Sequence, residues 1–375
     1  MSARYHKLCL LIIYTYIFPF CYIPSYSKDV NNNYIHGLHL TMWAAGHKKT
    51  RSYLNKLINE GVINTVVIAV KEVEGKVCVP GVREVEEVGA YVPAIPDIKD
   101  YITYLNAIGV KTVARIVVFK DDFLSRHKPY LGVKKAHSEE LWRDRKGHTW
   151  VDPYRREVWD YILAISKKAV EIGFKEVQYD YVRFPSDGNI KLCRYSYEKH
   201  TSTSAINTII EFLKYVSKEL KPLNVTISVC VFGLTPSVSG DLGIGQHFPS
   251  ISQYVDYVSP MMYPSHYYRG VYNLENPNRE PYKTVYRTTL DALNILKKER
   301  LKLCPYLQHF SLYGVKYGPK QIAEQLRALY DNKVYNWIFW DPECKYEHLP
   351  EAINILNNEA KNTSVPATEK ESGGN

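Results

Sequence analysis

The sequence has few cysteines, and their spacing matches no common framework. Of the seven cysteines in 375 residues, Cys9 and Cys21 lie in an apolar N-terminal segment, which leaves five in the rest of the chain. Five is an odd number, and no two cysteines form a C-x-x-C pair. The sequence therefore argues against a disulfide framework and a structural zinc site, although it leaves room for a single disulfide.

Motifs that mark several other protein classes are also missing. No G-x-G-x-x-G follows a predicted strand, as a dinucleotide-binding open sheet would require, and no G-x-S-x-G indicates a serine hydrolase. The formal net charge is +9, but the basic residues are spread along the chain and no nucleic-acid-binding motif is present. We therefore interpret the charge as an ordinary basic surface and predict no nucleic-acid partner.

The first 27 residues differ from the rest of the chain. Arg4 and Lys7 precede an apolar run at 8–23, and small residues then occupy the positions that favour cleavage after Ser27. We therefore predict a signal peptide at 1–27 and a secreted or periplasmic protein. An uncleaved membrane anchor is the alternative, and we expect no membrane contact outside this segment.

From residue 35 onwards, short β-branched and aromatic runs alternate with amphipathic stretches. The pattern predicts eight strands, at 37–43, 64–71, 111–120, 176–184, 225–233, 254–263, 302–310 and 336–342. It predicts helices at 50–61, 97–109, 152–173, 204–220, 248–254, 281–300, 319–332 and 349–360. Asp152 is the predicted N-cap of the third helix.

The strands are mostly continuous apolar runs, which is typical of parallel strands that are covered on both faces. We therefore predict the α/β class, as a single-domain (β/α)8 TIM barrel over residues 35–360. A doubly wound open sheet is the alternative. The polar segment 361–375 is predicted to be a disordered tail.

In a barrel, the stretch FKEVQYDYVRFPSDG at 174–188 forms the fourth strand and the start of the loop that follows it. Asp180 lies at the C-terminal end of the fourth strand, where barrel enzymes carry their active sites. A carboxylate that points into a barrel is costly to bury unless it is paired or hydrated. Asp180 is therefore a candidate site residue, and a structural ion pair with Arg115 or Arg183 is the alternative.

Polar and aromatic residues follow the other predicted strands as well. Aromatic faces stack on the C–H faces of sugars, while carboxylates and amides bind sugar hydroxyls, so this mixture predicts a carbohydrate partner. The candidate substrate-binding residues are Arg115, Trp142, Trp150, Arg183, Tyr263, His266, Gln308, His309 and Trp340.

Several runs of the sequence resemble a known family. WRDRKGHTWVDPY at 142–154, QYDYVRFPSDG at 178–188 and SPMMYPSHYYRG at 259–270 are similar to segments of the putative glycoside hydrolases of the DUF4015 type. The similarity extends in order over about residues 35–345. The resemblance implies a barrel that cleaves glycosidic bonds.

Glycosidases usually use two carboxyl groups, one as general acid and one as nucleophile or base. The resemblance makes Asp180 the first choice for nucleophile or charge stabiliser, with Arg183 keeping it ionised. Three positions where the family often has acids are occupied here by Ala69, Cys230 and His309. These departures leave the second carboxyl group to be found elsewhere.

Two other carboxyl groups are candidates for that partner. Asp341 ends the eighth strand, and its alternative role is to cap the turn before Pro342. Glu72 follows the second strand, and its alternative role is an ion pair with Lys71. His309 could also act as a general acid near neutral pH.

Two other functions stay open beside the glycoside hydrolase centred on Asp180. The missing acids favour a non-catalytic carbohydrate-binding protein on a degenerate glycosidase barrel. A metal-dependent amidohydrolase would need H-x-H on the first strand, whereas this chain carries His36 and His39 with the spacing H-x-x-H. We predict a carbohydrate substrate and neither a metal nor a cofactor.

Overall fold

The computed structural model describes residues 34–364, which form a closed barrel of eight parallel strands. Each strand pairs with its neighbours in the chain, and the eighth pairs with the first, where His36 lies beside Trp337. The strands are β1 His36–Leu40, β2 Thr65–Lys71, β3 Lys111–Val117, β4 Glu176–Asp180, β5 Thr226–Phe232, β6 Tyr257–Met261, β7 Tyr306–Gln308 and β8 Trp337–Trp340. The predicted (β/α)8 TIM barrel is confirmed, and the open-sheet alternative is wrong.

A helix follows each strand. The eight barrel helices are α1 Lys48–Asn59, α2 Ile98–Ala107, α3 Arg156–Ile172, α4 Ser202–Leu220, α5 Phe248–Ile251, α6 Pro281–Leu296, α7 Pro319–Asp331 and α8 Leu349–Ser364. Shorter helices at Met42–Gly46, Arg83–Glu87 and Asp122–His127 lie in the loops after β1, β2 and β3. Because α8 continues to Ser364, the first four residues of the predicted tail are helical. The rest of that tail and the predicted signal peptide at 1–27 lie outside the described residues.

The ends of α3 show which local signals set a helix boundary. The helix ends at Gly173, whose φ of 118° is left-handed, a conformation that glycine adopts without a Cβ clash. It begins at Arg156, so the prediction that Asp152 is its N-cap is wrong. The Asp152 carboxylate instead accepts hydrogen bonds from the backbone N–H groups of Tyr154 and Ser196. Asp152 thereby ties the loop before α3 to the loop after β4.

The barrel strands are buried on both faces. On β2, Val66, Ile68 and Val70 belong to the large core outside the barrel, whereas Val67 packs inside it with Val113. This two-sided burial explains the continuous apolar runs in the sequence.

The loops after β3 and β4 are long, and a small antiparallel ribbon joins Lys134–Lys135 to Cys193–Arg194. The five cysteines of residues 34–364 are all free thiols. In the same part of the chain, no helix combines the length and the apolar character needed to cross a membrane.

Candidate active site

Asp180 is the last residue of β4, and Arg115 of β3 is its partner. In the register of the two strands, Val117 lies opposite Asp180 and Arg115 lies opposite Gln178. The Arg115 side chain therefore starts one layer below Asp180 and reaches up to it. Its Nε and Nη2 donate to Asp180 Oδ2 at 3.0 and 2.5 Å. The ion pair with Arg115 that the sequence left open is thus present.

The chain turns sharply after Asp180. The backbone N–H of Tyr181 donates to Asp180 Oδ1 at 2.6 Å, and Tyr181 has a left-handed φ of 52°. This conformation is rare for a bulky residue, and such strain often occurs at functional sites. Both oxygens of Asp180 are thus engaged, and the residue is only 5% exposed.

Glu72 follows β2 and approaches another nitrogen of the same guanidinium group. Its Oε2 lies 3.9 Å from Arg115 Nη1, and its Oε1 accepts a long hydrogen bond of 3.4 Å from the backbone of Met42. The contacts of 3.9 and 2.5 Å to one guanidinium place the two carboxylates no more than about 9 Å apart, below the upper limit of ~9.5 Å for glycosidase pairs. Glu72 therefore lies beside the Asp180–Arg115 pair.

The electrostatic surroundings favour a proton on Glu72. Burial raises the pKa of Glu72, and the Arg115 cation offsets this rise only in part. Burial alone would lower the pKa of Arg115, but the charges of Asp180 and Glu72 raise it overall. Glu72 can thus stay protonated at a pH where an ordinary glutamate is ionised, as a general acid requires.

The ion pair between Lys71 and Glu72 is not formed. Lys71 is fully buried, and its Nζ lies 2.8 Å from Asp121 Oδ2 and donates to the Val117 carbonyl at 2.8 Å. Glu72 is thus free of the lysine that the sequence suggested as its alternative partner.

Arg183 was predicted to keep Asp180 ionised, but it forms no hydrogen bond with it. Its Nη1 donates to Ser186 Oγ at 2.9 Å. Its guanidinium carbon lies 4.9 Å from the ring centre of Trp150 and 4.7 Å from that of Tyr181. Arg183 therefore braces the loop after β4, and Arg115 is the cation that binds the carboxylate.

An aromatic cluster borders the site. Tyr263 and Trp340 stack with ring centres 5.3 Å apart, and Phe310 packs edge-on against both. Burial raises the pKa of Tyr263, and the neighbouring Cys230 and Asp180 raise it further. Trp340 is partly exposed and can offer a ring face to a sugar. Sequence reasoning missed Phe310, although it directly follows His309 at the end of β7.

Trp142 and Trp150 do not contribute to that surface. They are 3% and 1% exposed, and their indole N–H groups donate to the Asn189 carbonyl and to Asp144. Both rings pack inside the long loops, so neither offers a face to a sugar. The structure therefore places them as supports of these loops.

The two residues at the end of β7 point in different directions. The Gln308 side chain accepts from the backbone of Ser265 at 3.1 Å and donates to the Phe310 carbonyl at 2.8 Å, which fixes the loop after β6. His309 is buried against Tyr346, outside the barrel mouth. Burial lowers the pKa of His309 to about 3, so it is neutral at pH 7 and unsuited as a general acid.

Asp341 takes the capping role that was its alternative. Its Oδ1 accepts hydrogen bonds from the backbone N–H groups of Glu343 and Lys345 at 2.8 and 3.3 Å. Within residues 34–364, no hydrogen bond or ion pair joins Asp341 to Asp180 or Arg115. The structure thus brings Glu72, and not Asp341, to the Asp180 pair.

The remaining positions supply no acid or metal site. Ala69 and Cys230, where the family often has acids, are fully buried. His36 stacks on Trp337, and His39 contacts Tyr306 instead of pairing with another histidine. The described part of the chain contains no group of three or more His, Cys, Asp and Glu side chains placed to hold a metal ion.

Comparison of the sequence with protein-family profiles identifies the family of this barrel. Residues 37–346 match the profile of DUF4015, which is described as a putative glycosyl hydrolase domain. The chain belongs to the DUF4015 family. The match runs from β1 to β8 and includes Asp180, Arg115 and Glu72, so the resemblance read from the sequence is confirmed. No curated protein sequence matches the chain.

Solved structures share the fold of this DUF4015 barrel. The glycoside hydrolase domain of PgaB (BpsB) from Bordetella bronchiseptica is 12% identical, with a TM-score of 0.61 over 86% of this chain and 98% of that one. The spore cortex-lytic enzyme SleL of Bacillus cereus is 10% identical, with a TM-score of 0.53 over 86% and 73%. A chitinase from Chromobacterium violaceum is 8% identical, with a TM-score of 0.50 over 86% and 98%. At these identities, the likeness shows the barrel fold alone.

Proposed function

We propose that this protein hydrolyses glycosidic bonds, with Glu72 as general acid and Asp180 as the carboxylate that stabilises or attacks the sugar cation. The observation that supports the proposal is the pair of carboxyl groups on one guanidinium, within about 9 Å of each other at the mouth of the barrel. Their unlike surroundings support unlike roles. Burial favours the protonated form of Glu72, whereas Asp180 accepts hydrogen bonds from a cation and a backbone N–H.

In this mechanism, the proton on Glu72 passes to the glycosidic oxygen as its bond to the anomeric carbon breaks. Positive charge then develops on the sugar ring, and the Asp180 carboxylate stabilises that charge or bonds to the anomeric carbon. Water then adds to the anomeric carbon, displacing Asp180 if it has bonded there, and gives its proton back to the Glu72 carboxylate. Tyr263 and Trp340 would hold the ring by stacking. The family description and the fold shared with enzymes called a chitinase and a glycoside hydrolase domain support a carbohydrate substrate.

One observation favours the second candidate, a carbohydrate-binding protein without activity. Asp180 is 5% exposed and both of its oxygens are hydrogen-bonded, so a sugar reaches it only if Arg115 releases one oxygen. In a pure binding protein, this arrangement would simply hold β3 and β4 together.

The test compares cleavage and binding on the same glycans. Soluble partially deacetylated chitin, laminarin and hyaluronan are incubated with the wild type, Asp180→Asn, Glu72→Gln and the exposed control Glu86→Gln. We expect new reducing ends from at least one polymer with the wild type and the control, and a loss of about 10²–10⁴-fold with Glu72→Gln. Asp180→Asn should abolish cleavage and keep binding.

Thermal melting of each variant separates a loss of activity from a loss of folding. Polymer binding without any release of reducing ends by the wild type would refute the hydrolase and support the binding protein. Full activity of a folded Glu72→Gln variant would remove Glu72 from the mechanism.

A further inference from the structure

Exposed aromatic side chains are concentrated on one end of the barrel. Six Trp and Tyr residues of the described chain have large exposed fractions, from 43% to 79%, and only one of them, Tyr104, lies on a barrel helix. The other five are on segments that follow strands, at the end of the barrel that carries Asp180: Trp43, Tyr130, Tyr197, Tyr268 and Tyr313. Because exposed aromatic rings forgo the free energy of burial, their concentration on one face indicates a binding surface.

The two most exposed of these rings share a cleft. Tyr268, on the loop after β6, is 75% exposed, and Tyr313, on the loop after β7, is 79% exposed. Both line a cleft of about 760 Å³ between these loops. The charged side chains of Arg269 and Glu275 at its edge pair with each other at 2.8 Å. The two aromatic rings and the exposed Arg279 side chain, which also lines the cleft, are thus its recognition groups.

His266 connects the cleft to the aromatic cluster at the barrel mouth through ring contacts. His266 lines the cleft, and its ring lies 5.4 Å from that of Tyr263 and 6.0 Å from that of Phe310. Tyr263 in turn stacks on Trp340 beside the site. A chain of sugars could therefore run from the carboxylate pair across His266 into the cleft.

Tyr313 occupies a backbone position that suits a smaller residue. Tyr313 and Gly314 have left-handed φ values of 52° and 74°, and Leu312 and Val315 exchange backbone hydrogen bonds on either side. This is the pattern of a tight hairpin turn, in which Asn-Gly is preferred at the two central positions. The Nδ2 of Asn278 donates to the Leu312 carbonyl and holds the hairpin at the wall of the cleft. A strained and exposed tyrosine at the tip is explained by a ligand more readily than by stability.

We infer that this cleft is a distal sugar-binding subsite, in which Tyr268 and Tyr313 stack on sugar rings several units away from Asp180. The inference rests on the proposed function, since it names the substrate class of the same site. The substrate is then an extended polysaccharide rather than a small glycoside, because short chains that fill the barrel mouth do not reach the two tyrosines.

The test measures binding by the full chain with a double variant. Affinity electrophoresis and calorimetry are performed with soluble partially deacetylated chitin, laminarin and hyaluronan, and with the trisaccharide of the polymer that binds best. We expect Tyr268→Ala/Tyr313→Ala to weaken polymer binding roughly 10-fold to 100-fold and trisaccharide binding by less than about twofold. The matched control is Tyr104→Ala, which removes an exposed ring from α2 and should leave both affinities unchanged.

The possible outcomes separate this inference from the proposed function. If the double variant binds the polymer as the wild type does, or if none of the three polymers binds to the wild type, the subsite is refuted. An equal loss with Tyr104→Ala also refutes it. If the double variant loses polymer affinity while the wild type releases no reducing ends, the subsite holds and the hydrolase proposal fails.

Discussion

At the scale of single residues, the identity of one cation decides how the site works. The sequence suggested Arg183 because it lies three positions after Asp180, but the chain leaves the strand at Tyr181 and carries Arg183 away. Arg115 is 65 positions from Asp180 and yet its partner, because β3 and β4 are neighbours in register. The same guanidinium group contacts Glu72 and so links the two carboxyl groups.

Replacing this cation tests its role. Arg115→Met leaves the buried Asp180 and the partly buried Glu72 without their shared cation, and we expect the free energy of unfolding at pH 7 to fall by about 3–5 kcal/mol. The pKa of Glu72, already raised by burial, should rise further once the cation that lowers it is gone. The loss of stability caused by Arg115→Met should therefore become smaller as the pH falls through the pKa of Glu72, because protonation removes the uncompensated charge.

Urea denaturation at pH 7 and pH 5 measures both effects. Arg156→Met, which removes an exposed arginine from α3, is the control and should change little at either pH. A deficit that grows towards pH 5 would contradict this account of Glu72.

At the scale of structural elements, the hairpin after β7 carries a tyrosine where the turn geometry favours another residue. A turn with two left-handed central residues favours Asn-Gly, whereas this hairpin has Tyr313-Gly314. The strands show a similar limit of local reasoning. The run at 302–310 predicted a long strand, but β7 covers Tyr306–Gln308, with a separate parallel bridge at Leu303. After β7 the chain turns into the loop that carries Phe310 and Tyr313.

The hairpin allows a prediction in which stability and binding move in opposite directions. Tyr313→Asn should raise the free energy of unfolding by roughly 1 kcal/mol, because asparagine tolerates the left-handed conformation better than tyrosine. The same change should weaken polysaccharide binding. Denaturation and affinity electrophoresis measure the two effects.

The control is Tyr130→Asn, which changes an exposed tyrosine whose φ is not left-handed. It should bring no gain in stability. A loss of stability in Tyr313→Asn would show that the tyrosine ring supports the hairpin, which would weaken the case for a ligand.

At the scale of the whole molecule, the closed barrel turns eight separate strand ends into one site. Glu72, Arg115 and Asp180 come from β2, β3 and β4, while Tyr263 and Trp340 follow β6 and end β8. Because β8 pairs with β1 and closes the barrel, Trp340 at the end of β8 lies on the same rim as Glu72 after β2. Residues 1–27 lie outside the described residues 34–364, and we propose that they direct export.

The export proposal predicts a processed protein. Expressed in a secreting host, the chain should appear in the medium with Lys28 as its first residue, as measured by intact mass and N-terminal sequencing. Ser27→Arg should block the cut, because cleavage needs a small residue at that position. A wild-type chain that keeps residues 1–27 and stays in the membrane fraction would support the anchor instead.

The order of eight strands and helices, the barrel class and the position of Asp180 at a strand end were predictable from the chain alone. These features depend on local patterns, namely apolar runs, amphipathic spacing and stop signals such as Gly173. Three features became visible only in the folded barrel: the bond of Arg115 to Asp180, the pairing of Lys71 with Asp121, and the burial of Trp142 and Trp150. These contacts depend on strand register and on the packing of long loops, which join residues far apart in the chain, so no local pattern encodes them.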